Sequence, residues 1–361
     1  MFFIEPIRNF YGRYEHQVSS LFLILGFIID ALTIKRADKL WENLWILGYI
    51  ILIGIFILLL HREEATSGKE QNSERTHFWY LVILQFCFGG VLSANLVLYF
   101  RSADIFVVWP FVLILAVAFW ANESLKKHHA RLSFQISLFF LSVYSFTIFL
   151  VPVILHKIGT GVFLLSGLVS LIFITIFILV LFHFAKEKFT ESKKLILLIL
   201  GIFVTVNFLY FINLIPPIPL SLKDAGAFHL IQKNKDGNYL VQYEKNGWKR
   251  YFQLYPDFNV LPGAAVFAYS AIFSPKGLNL TIVHEWQHYN ETLKEWVTES
   301  KVNLLVVGGR DGGFRTYSMR IDLAPGKWRV SVKTAQGQNI GHLRFNLVST
   351  NIEPALIEII K

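Results

Sequence analysis

Around Pro216 and Pro217 this chain changes the solvent it is built for. Upstream, apolar stretches of about twenty residues recur, which is the length an α-helix needs to cross a hydrocarbon core of ~30 Å. Downstream, apolar and polar residues alternate as in a water-soluble β-domain. Composition agrees: 54% of residues are hydrophobic, 34 are Phe and 16% are charged, against about 25% charged in soluble domains. A single cysteine, Cys87, excludes an intrachain disulfide and a cysteine zinc cluster.

The reading is a polytopic all-α bundle of about seven transmembrane helices over residues 1–216, a Pro-rich linker at 217–224, an all-β domain at 225–350 and a tail at 351–361. Spans are expected at Val18–Ile34, Trp45–Leu60, Phe78–Phe100, Ile105–Trp120, Leu132–Val153, Gly161–Phe184 and Leu195–Ile215, with Arg101 to Asp104 as the tight turn between the third and fourth. Cytoplasmic loops of membrane proteins collect Lys and Arg. Arg8, Arg13, Arg62, Lys69, Arg75, Lys126, Lys127, Arg131, Lys186, Lys188, Lys193 and Lys194 fall on the N-terminal side, against Lys35, Arg36, Lys39, Arg101 and Lys157 on the other. The N-terminus is therefore expected in the cytoplasm and the β-domain outside. The run after Arg13 contains Asp30 and ends in Lys35-Arg36 without a small-residue cleavage site, so it reads as a retained span.

Within the spans Asp30, Gln85, Asn95, His183 and Asn207 are the candidate polar groups. An ionised carboxylate such as Asp30 is costly in lipid unless paired or hydrated, and marks a functional position or a helix end tied to Lys35 or Arg36. The amides line a pathway or hydrogen-bond neighbouring helices, and the second role is the commoner one. Gly89-Gly90 and Pro110 break helices or permit close packing. No internal repeat of the kind found in transporters is visible.

Strands are expected at 227–232, 239–243, 265–273, 278–287, 295–298, 303–307, 314–321, 328–333 and 342–347, separated by turn signals such as Asp236-Gly237-Asn238, Gly308-Gly309 and Pro325-Gly326. Short strands at this spacing indicate an immunoglobulin-like antiparallel sandwich. The string His284-Glu285-Trp286-Gln287-His288 matches the zincin pattern literally, but that chemistry requires a helix that stacks both histidines on one face. Its β-branched approach, Leu280-Thr-Ile-Val283, indicates a strand, and no third ligand stands at a suitable spacing; no metal or cofactor is expected. Arg310, Arg315, Arg320 and Arg329 could form an anion-binding surface, with Trp286, Trp296 and Trp328 as a stacking platform. The alternative is that the tryptophans fill the core and the arginines ladder over the exposed face.

Several segments carry a resemblance: GFIIDALTIKRADKLWENL from Gly26, IPPIPLSLK from Ile215, HEWQHY from His284, GGRDGGFRTYS from Gly308, PGKWRV from Pro325 and IGHLRFNLV from Ile340. Together they resemble the bacterial membrane-protein family numbered 2914 among the domains of unknown function. The pattern falls on His284, Trp286, Gly308, Gly309, Arg310, Gly312, Arg315, Pro325, Gly326, Trp328, Arg329 and Gly341. The resemblance implies a bundle with a β-domain in a bacterial envelope and attaches no activity to it.

The expected function is therefore non-enzymatic. The bundle holds, in the bacterial cytoplasmic membrane, an external sandwich that binds a ligand or partner: a glycan, a peptide or a lipid-linked polymer. Trp286, Arg310, Arg315, Trp328 and Arg329 are the candidate ligand contacts. Transport through the bundle is the alternative, and a zinc protease at His284, Glu285 and His288 a weaker one. From Ile218 onward 17 Lys or Arg stand against 12 Asp or Glu. That excess suits anionic headgroups or wall polymers and is too small to indicate nucleic acid.

Overall fold

The computed structural model describes residues 27–34, 39–66, 71–102, 105–124, 132–184, 192–215, 217–235, 238–244, 253–310 and 312–361. Residues 18–26 of the first expected span, most of the loop cations behind the expected orientation (Arg8, Arg13, Lys35, Arg36, Lys69, Lys126, Lys127, Arg131, Lys186 and Lys188), Ala103 and Asp104 of the expected turn, Asp236-Gly237 and Asp311 lie outside the described residues. The chain divides into two compact units, a helical one and a β one, with the change between Ile215 and Pro216.

The helical unit contains α1 (27–33), α2 (Leu40–Thr66), α3 (Gln71–Ser102), α4 (Ile105–Ser124), α5 (Leu132–Leu155), α6 (Thr160–Phe184) and α7 (Ser192–Phe211). Among the described residues five stretches are long and apolar enough to cross a membrane: Leu40–Glu63, Trp79–Phe100, Leu132–Leu155, Thr160–Phe184 and Lys193–Phe211. Trp109–Asn122 in α4 is apolar but shorter. The protein is a membrane protein.

The packing within this unit is the reverse of a soluble bundle. Along α6, Ser166, Gly167 and Ser170 are buried while Leu164, Leu168, Ile172, Ile176 and Leu179 face outward. Small residues let helix backbones approach where lipid, as apolar as leucine, supplies no hydrophobic drive between helices. Gly167 shows this directly, since a Cβ there would lie 2.9 Å from the Tyr144 hydroxyl and 3.0 Å from Phe203. Helix α5 is buried continuously from Leu138 to Phe149, so protein surrounds it on every side. Polar groups tie the other helices to it. Asn95 Nδ2 donates to the Ser142 carbonyl at 3.3 Å, Tyr99 to the Ser145 carbonyl at 3.1 Å and Asn207 Nδ2 to the Tyr144 hydroxyl at 3.0 Å, while His61 Nε2 meets Gln135 Oε1 at 2.9 Å.

The β unit contains β1 (Ser221–Phe228), β2 (Leu230–Lys233), β3 (Tyr239–Glu244), β4 (Asp257–Val260), β5 (Ala265–Phe273), β6 (Leu280–Asn290), β7 (Glu295–Val306), β8 (Phe314–Ile321), β9 (Gly326–Thr334), β10 (Asn339–Ser349) and β11 (Leu356–Ile360). They form three sheets, ordered β1-β5-β8, β4-β10-β9-β6-β7 and β11-β3-β2. All pairings are antiparallel except β4 with β10. The three-stranded sheet β1-β5-β8 is the middle layer. Val266 and Ala268 of β5 join Trp286, Trp328, Val330 and Phe345 of the five-stranded sheet in one core, while Phe267, Tyr269 and Ala271 join Ile231, Tyr239 and Val241 of the third sheet in another. Alternate side chains of β5 thus serve two different cores, which explains its nearly continuous apolar run, interrupted by Ser270.

Five features differ from the expected pattern. Three sheets stand where a two-sheet immunoglobulin-like sandwich is expected. Strand β1 starts at Ser221, inside the expected linker, and β11 occupies much of the expected tail. The short strand β4 carries no turn-bounded alternation of its own. Residues 295–306 form one strand where two are expected, because the register slips opposite Trp286 and Gln287, where Ser300 and Thr298 are the partners and Glu299 is skipped. An unpaired residue of this kind breaks the two-residue alternation without ending the strand.

Candidate functional site

Strand β6 carries His284-Glu285-Trp286-Gln287-His288, and its pleat sends neighbouring side chains to opposite faces. His284 and Trp286 point into the core. The His284 ring lies 2.8 Å from Ser270 Oγ and 2.9 Å from Ser318 Oγ, and Trp286 Nε1 donates to the same Ser318 oxygen at 2.9 Å. The consistent assignment has Ser318 accepting from Trp286 and donating to Nδ1, so that His284 Nε2 carries the proton and donates to Ser270. Burial pulls the His284 pKa down to about 4, and the ring is neutral at pH 7. His284 and His288 pair with Val332 and Trp328 of β9; four residues of strand separate them by roughly 13 Å. His288 meets the Pro325 carbonyl at 3.2 Å instead. The two histidines cannot share a zinc ion, and among the described residues no cluster of three His, Cys, Asp or Glu is placed to hold one.

The positions after this strand are equally constrained. A Cβ on Gly308 would overlap the Pro275 carbonyl oxygen, and Gly313 combines φ +84° with a backbone approach of 2.9 Å at Ala271. Residues 279–347 match the family described as protein of unknown function, DUF2914. The match covers β6 to β10 and leaves the helices and β1 to β5 outside it. Within the DUF2914 segment the residues that carried the resemblance are in part architectural: His284 and Trp286 build the core, and Gly308 fits a close crossing.

No curated protein matches this chain. Among solved structures, a β-glucosidase from Listeria innocua in complex with gluconolactone aligns with 10% identity and a TM-score of 0.20 over 32% of this chain and 17% of that one. The alkylpurine DNA glycosylase AlkC of Pseudomonas fluorescens, bound to DNA containing an abasic site analog, aligns with 7% identity and a TM-score of 0.21 over 87% of this chain and 100% of that one. The chain spans about a sixth of the length of the glucosidase.

The opposite face of the five-stranded sheet holds a connected set of polar side chains. Buried Glu285 accepts from Thr298 at 3.1 Å and pairs with Lys301 at 3.3 Å and with Lys333. Burial opposes its ionisation, but the hydrogen bond and charge of Lys333, with Lys301 and Thr298, outweigh it and hold its pKa below the usual carboxylate value. Gln287 donates to Thr298 at 3.3 Å, and its Oε1 accepts from Arg329 Nε at 2.9 Å. Ser331 lies 3.1 Å from that same Oε1 and 3.1 Å from His342 Nδ1. The Arg329 guanidinium lies 4.5 Å over the Trp296 ring, against which Tyr255 stacks at 6.1 Å and Tyr289 tilts at 5.2 Å.

The residues singled out from the sequence therefore separate. Trp286 and Trp328 are 0% and 2% exposed, packed in the core with ring centroids 6.4 Å apart, so they are corrected from ligand contacts to core. Arg315 lies on β8 opposite Ala271, on the side of the third sheet, where its Nη1 donates to Asn238 at 3.0 Å. Arg310 is exposed in the turn before β8. Neither meets Arg329, and the single arginine surface expected from the sequence is not formed. In the helices, Asn95 and Asn207 bind neighbouring helices as above, and the backbone carbonyl of Gln85 accepts from Asn122 at 3.0 Å. His183 is exposed at the end of α6, with its ring beside Phe184. Asp30 lies in α1 and is partly buried. Gln287, Lys301, Ser331, Lys333, His342 and Arg344 were missed, and Glu285 was singled out only as part of the zincin string. Their signal was the two-residue spacing 329/331/333 and 342/344, which becomes a face only when the strands are in register.

Proposed function

We propose that this protein is an envelope binding module. A polytopic bundle of seven crossings, with its N-terminus in the cytoplasm, holds the β-domain outside a bacterial cytoplasmic membrane. The face of β6, β7, β9 and β10 opposite Trp286 then binds a ligand, with a glycan as the favoured class among glycan, peptide and lipid-linked polymer. Arg329 carries this reading. Its Nε is fixed by Gln287 and its plane by Trp296, while among the described residues its two terminal amines meet no acceptor. A guanidinium locked in place with its fork unoccupied is a preorganised receptor, because less freedom is lost when a ligand arrives. Peptides usually add to a sheet's open edge through main-chain bonds. A flat face of amides, hydroxyls and aromatic rings suits the alternating polar and apolar surfaces of a sugar. The test is binding of detergent-solubilised protein to an array of bacterial envelope glycans. Wild-type protein should bind a subset of spots, and Arg329→Gln and Gln287→Leu should each lose most of that signal. A binding pattern identical in all three proteins removes this face from the function.

A further inference from the structure

On the strength of that binding face, we infer that its ligand is an acidic glycan, and that a sugar carboxylate seats on Arg329 beside Lys333, Arg344 and His342. The geometry supplies three reasons. First, the fork of Arg329 presents two parallel N–H donors, the arrangement that grips a planar carboxylate in bidentate fashion. Second, charge around the fork is one-sided. The groups facing His342 are Arg344 on its own strand, Arg329, Ser331 and Lys333 on β9, and, beyond β9, Glu285 on β6, which already pairs with Lys333 and Lys301 of β7. On the other flank Asp257 of β4 accepts from Asn346 at 2.8 Å. With Glu285 held by Lys333 and Lys301, the two terminal nitrogens of Arg329 are left for an incoming anion.

Third, the histidine is wired for two protonation states. With the Asn339 amide turned so that its nitrogen donates to the carbonyls of Val332 at 3.3 Å and Gly341 at 3.1 Å, its oxygen accepts from His342 Nε2 at 2.7 Å. His342 Nδ1 then accepts from the Ser331 hydroxyl. On protonation Nδ1 becomes a donor to Ser331 Oγ, and the Ser331 hydroxyl turns to Gln287 Oε1 at 3.1 Å. Both states leave the network satisfied. In the free protein burial, and then the charges of Arg344, Arg329 and Lys333, pull the His342 pKa down to about 4. A carboxylate arriving among those cations offsets their repulsion but not the burial, so the His342 pKa rises on binding, and the complex takes up protons and tightens as pH falls toward that value.

The experiment is calorimetric titration of full-length protein in detergent at about pH 5.5 with hexagalacturonate and with its full methyl ester, which keeps the sugar and removes the charge. Each is measured in two buffers of different ionisation enthalpy, which counts protons. The acid should bind about tenfold or more tightly than the ester, the scale of one bidentate charged contact, with net proton uptake. Arg329→Lys, which keeps the charge but loses the fork and the stacking, should erase the difference between acid and ester. His342→Gln should retain that difference and lose the proton uptake. Equal binding of acid and ester overturns the carboxylate seat while leaving a glycan-binding face standing. Acid preference without proton uptake overturns the part assigned to His342. Failure of both sugars to bind, alongside positive spots on the array, overturns the acidic-sugar assignment alone.

Discussion

Lowering the pH from 7 to 5 should loosen the β-domain through two histidines that are held neutral. His284 and His342 both have pKa values pulled down from 6.5 to about 4. The unfolded chain therefore binds more protons than the folded one between those values, and stability falls as pH falls through that window. For one such histidine, the linkage relation gives a loss of about 2 kcal/mol between pH 7 and pH 5, and about 4 kcal/mol for the pair. That is a large part of the ~5–15 kcal/mol by which domains are stable. Glu244 and Glu285 do not confuse the result. Burial opposes ionisation of both, but His229 and Asn259 around Glu244, and Lys333, Lys301 and Thr298 around Glu285, hold their pKa values below 4.5, so their contributions are lost only in stronger acid. Hydrogen exchange of peptides from β6 and β9, read by mass spectrometry on the solubilised full-length protein and corrected for intrinsic rates, reports the opening free energy. His284→Gln should be less stable than wild type at pH 7 and lose about half of the pH dependence. An opening energy that does not change between pH 7 and 5, or an identical acid loss in wild type and variant, refutes the assignment of a buried neutral imidazole.

Other perturbations reach different parts of the molecule. Trp286→Ala should cost the domain about 3–5 kcal/mol and strip Ser318 of its indole donor, seen as faster exchange across β6, β8 and β9. Gly308→Ala should cost about 1–3 kcal/mol, since the new methyl group overlaps the Pro275 carbonyl, and exchange at residues 274–279 reports it. Gly167→Leu should push α6 away from Tyr144 and Phe203 and lower the thermal midpoint in detergent; an unchanged midpoint would remove close helix packing at that glycine. Alkaline phosphatase fused after Lys361 should be active in cells, whereas activity only of a cytosolic reporter would reverse the proposed orientation.

What the residues announced, and what they hid, follows from which interactions are local. Hydropathy over twenty residues is a local property, so the helices from Leu40 to Phe211 could be placed. Turn pairs such as Pro325-Gly326 likewise bounded strands well. Strand β5 was found as an apolar run, but its division between two cores depends on β2 and β3, far away in the chain. The same holds for the tryptophans: aromatic residues beside arginines suit a sugar platform, and only the packing of Trp286 and Trp328 on Phe345 and Val266 shows them to be filling. The candidate face escaped because it is assembled across four strands. Gln287, Arg329, Ser331 and His342 meet only when β6, β9 and β10 take their register, and nothing in a single strand's composition states that pairing.

The strand β11 bears on how the domain is made. Its Ile360 pairs with Leu240 of β3, and only that pairing completes the sheet covering Tyr239 and Val241. During synthesis the first nine or ten strands can assemble while this layer lacks its last member, leaving a raw hydrogen-bonding edge on a nascent chain already tethered to the bilayer. Residues 356–360 must therefore be made before this sheet can close, and a pairing so distant in the chain works against fast folding. A cell that produces this protein in excess would meet that edge first, as the place where unfinished copies adhere to one another.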